Sequence, residues 1–135
     1  MRILAAATIT LSLVSCTQLS DKPAPPPTFP NHASVALIET VDGARSVSDP
    51  QEIARFLGEI REIRTGWSFT WHTYPTPQKS VFLKDKDNKN LCRLDFGPRW
   101  IGSDCGQAGE GWPPLTGTSA TQDQYFQTFL DAKWR

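Results

Sequence analysis

The chain is poor in the residues from which active sites are usually built: its 135 residues include two histidines, one methionine and two tyrosines, and its 14 basic residues are cancelled by 14 acidic ones. General acid–base or nucleophilic chemistry needs a group with its partner within hydrogen-bond reach. His32 sits beside a proline-rich stretch, and His72 lies between Thr70 and Tyr74 with no Asp or Ser at a recognisable motif spacing. There is no G-x-S-x-G elbow. The glycine-rich run Gly106-Gln107-Ala108-Gly109-Glu110-Gly111 reverses the dinucleotide order and lacks the Lys and Ser/Thr of a phosphate loop, so no nucleotide and no cofactor is expected. A chain without net charge or a basic stripe cannot supply the phosphate neutralisation on which nucleic-acid binding depends. Asp85 to Asn90 offers acids at two calcium-loop positions. Lys89 then occupies a ligand position and Phe96 stands where the bidentate Glu belongs, so a hairpin tip is expected there and no metal. Beyond residue 14 no apolar run is long enough to cross a bilayer. These shortages point away from an enzyme. The enzymatic alternative that remains is a cell-wall hydrolase acting through Asp95 and Asp104, and no distance between carboxylates can be inferred from sequence.

What is present begins at the N-terminus. Arg2 precedes an apolar stretch over residues 3–14, which is too short to span a membrane, and Leu13-Val14-Ser15-Cys16 follows. This tetrapeptide resembles the processing site of bacterial lipoproteins, in which the cysteine thiol is diacylated, the signal peptide is removed and the new amino group is acylated. The resemblance covers the first 16 residues and implies a lipid anchor on Cys16, with residues 1–15 cut away. Several acyl chains on one cysteine hold a protein to a membrane effectively permanently. Thr17 stands where an aspartate would retain such a protein in the inner membrane. The outer membrane, facing the periplasm, is therefore the expected location, with the inner membrane or the cell surface as the alternative. Loss of residues 1–15 removes Arg2 and no acid, leaving 13 basic against 14 acidic residues. Residues 16–32 contain prolines 23, 25, 26, 27 and 30, favour polyproline II geometry and read as a tether. In the oxidising compartment that the resemblance implies, Cys92 and Cys105 are the remaining cysteines and are expected to pair.

Residues 33–135 suffice for one domain with a limited core. Residues 34–41 are rich in Val, Leu and Ile and end at Asp42-Gly43, as a strand and turn would. Asp49 followed by Pro50 and Glu52 marks a helix start. Ile53, Phe56, Leu57, Ile60 and Ile63 repeat at helical spacing, and Gly66 provides a stop. Trp67, Phe69 and Trp71 alternate with polar residues, and further short strands are expected over residues 80–84, 91–96 and 99–102. A breaker-rich loop over residues 104–117 leads to a second helix, capped by Ser119 or Thr121, with Phe126, Phe129, Leu130 and Trp134 on its apolar stripe. The expected fold is α+β: a twisted antiparallel sheet of about four to five strands with two helices packed on one face, in the order β-α-β-β-β-β-α.

Five tryptophans exceed what so small a core obviously needs. Trp112 sits in the Gly/Pro-rich loop near Cys105, where it either covers a sheet edge or anchors an interface. Trp112, Trp100, His72 and Tyr74 are the candidate partner-binding residues. The expected role is a non-enzymatic protein-binding module that takes a periplasmic or envelope protein, an inhibitor or immunity protein being one form. A structural component of an envelope or secretion complex is the alternative.

Overall fold

The computed structural model describes residues 22–69, 74–105 and 113–131. Its elements are β1 (Lys22–Pro23), β2 (Val35–Thr40), β3 (Gly43–Val47), α1 (Pro50–Arg61), β4 (Ser68–Phe69), β5 (Lys79–Lys84), β6 (Asn90–Gly97), β7 (Trp100–Asp104), β8 (Leu115–Gly117) and α2 (Ala120–Asp131). The strands form one antiparallel sheet in the order β1-β4-β8-β7-β6-β5-β2-β3. The α+β class and the two helices agree with expectation. The strand count and order do not: the described residues form eight strands, in the chain order β-β-β-α-β-β-β-β-β-α.

The additional strands carry little intrinsic signal. β3 reads Gly-Ala-Arg-Ser-Val and is positioned by a tight turn. There Thr40 Oγ1 accepts from the Asp42 amide at 3.2 Å, and Gly43 adopts a φ of +139° that L residues avoid. β1 and β4 have two residues each and β8 three, so pairing defines them rather than any alternation of side chains.

The helices follow their local chemistry closely. Asp49 caps α1, its Oδ1 accepting from the Gln51 amide at 2.8 Å and the Glu52 amide at 3.4 Å, with Pro50 at the first helical position. The helix ends at Arg61, before Gly66, which takes φ +83° in the connection to β4. Ser119 and Gln122 form a reciprocal capping box at α2: Ser119 Oγ accepts from the Gln122 amide at 3.2 Å, and Gln122 Oε1 accepts from the Ser119 amide at 2.9 Å.

Both helices cover the same face of the sheet. Phe96 of β6 meets Phe56 of α1 at 6.1 Å and Phe126 of α2 at 5.6 Å between ring centroids, while Phe56 stacks on Phe129 at 4.2 Å. Ala36, Ile38, Val81, Leu83, Leu94 and Ile101 complete the core beneath them. Burying each large side chain of this set contributes roughly 1.5–3 kcal/mol. The Cys92 and Cys105 sulfurs lie at disulfide bonding distance on this face, with their Cα atoms 4.5 Å apart. They tie β6 to the end of β7.

The described part of the proline-rich segment is held against the domain. Lys22 pairs with Phe69 and Pro23 with Ser68, Pro27 is buried, and Phe29 lies 6.1 Å from the Trp67 ring. A proline-rich strand lacks many donors and can serve as an outermost strand, where those donors are not needed.

Candidate functional site

The register that sends Leu94 and Phe96 toward the helices sends Arg93, Asp95 and Gly97 to the opposite face. That face is built in rows across the sheet. Leu37, Phe82, Arg93 and Asp104 are cross-strand neighbours in one row, and Glu39, Ser80, Asp95, Gly102 and Leu115 form the next. No helix covers these rows among the described residues, yet Asp95 is 4% exposed.

Asp95 is buried because aromatic rings lie on glycines around it. A Cβ at Gly97 would fall 1.9 Å from Trp100 Nε1, and one at Gly102 would fall 1.8 Å from the Tyr74 hydroxyl. Both rings therefore rest where a side chain would otherwise stand, Tyr74 and Trp100 meeting edge to face at 5.9 Å. The carboxylate beneath them is held by three donors. Ser80 Oγ donates to Oδ1 at 2.6 Å, Arg93 Nε donates to Oδ1 at 2.9 Å, and the Tyr74 hydroxyl donates to Oδ2 at 3.2 Å. The Arg93 guanidinium also lies over the Phe82 ring, 5.6 Å from its centroid.

Burial, reinforced by the neighbouring Asp95 charge and the hydrogen bond to it, raises the Tyr74 pKa well above that of an ordinary phenol. Tyr74 thus remains a proton donor, and both Asp95 oxygens are occupied. This arrangement holds a proton in place and fixes the orientation of Tyr74 and Arg93. Asp104, the second acid of the hydrolase alternative, is exposed and stands opposite Arg93 one row away.

Of the four candidate partner-binding residues, the structure brings Tyr74 and Trp100 together. His72 and Trp112, like Cys16, lie outside the described residues. Ser80, Arg93, Asp95, Gly97 and Gly102 complete the site and were not singled out as partner-binding residues. Their signal was available in the parity of the strands, where small and polar residues alternate with the apolar set that sequence reasoning followed.

His32 lies apart from this cluster, in an open cleft of about 440 Å³ shared with Asn31, Asp85 and Leu91. Asp85 Oδ1 there accepts from the Asp87 amide at 2.8 Å and the Lys89 amide at 2.9 Å, the bonding of the expected hairpin tip. Among the described residues no three His, Cys, Asp or Glu side chains group to hold a metal ion, and no helix is long and apolar enough to cross a membrane. Comparison with protein-family models, with curated proteins and with solved structures finds no match to this chain.

Proposed function

We propose that the protein is a lipoprotein anchored through Cys16 and facing the periplasm, acting as a non-enzymatic protein-binding module. An inhibitor or immunity protein against a soluble envelope enzyme or toxin is its most concrete form. The observation that supports this reading is the prepared state of the sheet face that no described helix covers. Trp100 and Arg93, residue types that concentrate binding energy in interfaces, are each already held by a neighbour. A side chain ordered before binding loses little freedom on association, so its contacts convert more fully into affinity. Partly exposed Leu37 and Phe82 extend the same surface. Asp95, with both oxygens bonded, is better suited to positioning these groups than to turnover.

Affinity capture from envelope extract with the full lipidated chain, compared with Trp100→Ala and Phe82→Ala variants of matched melting temperature, tests the proposal. Retention of one soluble enzyme or toxin, lost in the variants, supports it. Capture of a multi-subunit envelope assembly turns the reading to a structural component, and capture unaffected by either substitution removes this face from the function. The anchor is tested separately: Cys16→Ser is expected to abolish incorporation of a fatty-acid probe.

A further inference from the structure

Residues 22–30 have the sequence of a free spacer, but they are seated on the domain. The Ala24 amide donates to the Trp67 carbonyl at 2.9 Å, continuing the two-residue ladder of β1 on β4. Phe29 packs on the Trp67 ring at 54° between planes, and Arg61 at the end of α1 donates to the Pro30 carbonyl. Trp67 is buried with the segment in place, and the domain itself fixes its ring through Nε1, which donates to the Ile63 carbonyl at 2.8 Å. A tryptophan fixed in this manner, flanked by backbone groups that pair with an extended strand, has the character of an aromatic groove that receives polyproline II segments.

We propose that the groove formed by Trp67, the Ser68–Phe69 backbone and Arg61 is a binding site for an extended proline-rich segment, and that residues 22–30 occupy it in cis. Docking and release of that segment then set how far the domain stands from the bilayer. That spacing requires the acylation of Cys16 proposed above. With the segment docked, residues 16–21 alone bridge lipid and domain, a span of at most about 20 Å; with it released, residues 16–32 reach about 60 Å. The five prolines of the segment have φ already set, so docking orders it at little cost in backbone freedom. Among the contacts named here, release breaks a short ladder, the Ala24 amide bond, the Arg61 bond to the Pro30 carbonyl and one aromatic pair. That is far less than any central strand would lose, and it places the segment at the easily opened end of the molecule.

The test uses the full lipidated chain on a supported bilayer, with Phe29→Asp as the releasing variant, amide exchange as one readout and neutron reflectometry of domain height as the other. The Ala24 amide is expected to exchange at least tenfold faster in the variant, with the Val81 and Leu94 amides unchanged, and the protein layer to move outward by tens of ångströms. A synthetic peptide of residues 22–31 is expected to bind the variant and not the parent. Equal exchange of Ala24 in both proteins, or failure of the peptide to bind the variant at millimolar concentration, overturns the groove. Lost protection with unchanged height overturns the spacing. If the chain is not retained on the bilayer, the anchor reading and the spacing fall, while exchange and peptide binding still decide the groove.

Discussion

The two faces of the sheet become buried by different means. Under the helices, branched and aromatic side chains exclude water by packing against one another, and Phe56, Phe96, Phe126 and Phe129 form a continuous aromatic cluster. On the other face the Asp95 carboxylate is buried by two rings lying over Gly97 and Gly102, and among the described residues it accepts hydrogen bonds from the side chains of Ser80, Arg93 and Tyr74. The first face resists change because it is large. The second is specific because few geometries satisfy it, and a buried polar group left unpaired is costly.

Substitution distinguishes the two. Phe56→Ala, which opens a cavity in the helix-covered core, is expected to cost about 3–5 kcal/mol in urea denaturation. Replacing Cys92 and Cys105 together by Ser on the same face should cost about 2–4 kcal/mol by the same measurement. On the open face Asp95→Ala strands the donors of Ser80, Arg93 and Tyr74, for an expected loss of about 1–3 kcal/mol. Gly102→Ala is expected to cost only about 1 kcal/mol, because the phenol end of Tyr74 can swing aside, but it should lower the Tyr74 pKa in a spectroscopic titration. If Phe56→Ala and Asp95→Ala prove equally damaging, the contrast between the faces is wrong.

Alkaline pH gives the subtlest test. The pKa values of Tyr74 on the open face and Tyr125 on the helix side are both raised by burial, that of Tyr74 by more. Above the ordinary phenol value near 10 the unfolded chain releases protons that the folded chain retains, so stability present below that pH is lost as pH rises toward the folded-state values. Tyr74→Phe should remove most of this loss, read as a flatter dependence of the urea midpoint on pH above 10.

The helices are legible in the sequence because their signals are short-ranged. Asp49 and Ser119 bond to amides within three residues, and Ile53, Phe56, Leu57 and Ile60 repeat at helical spacing in the chain itself. β3 and β1 were not legible, since Gly-Ala-Arg-Ser-Val and Lys-Pro become strands through the neighbours they pair with. The site was half legible. Tyr74 and Trp100 stand out as aromatics, whereas Asp95 is recognisable as their support only in the fold, where Ser80 and Tyr74 reach it.

From its own order of residues, without a fold, the chain specifies where its helices begin, which of their faces is apolar and where its hairpins turn, because those choices are settled by groups a few bonds apart. It took tertiary structure to place Tyr74 on a carboxylate 21 residues away and to lay a proline-rich strand against Trp67. Such contacts depend on which strands become neighbours, and that is decided by burial across the whole sheet rather than by any local preference.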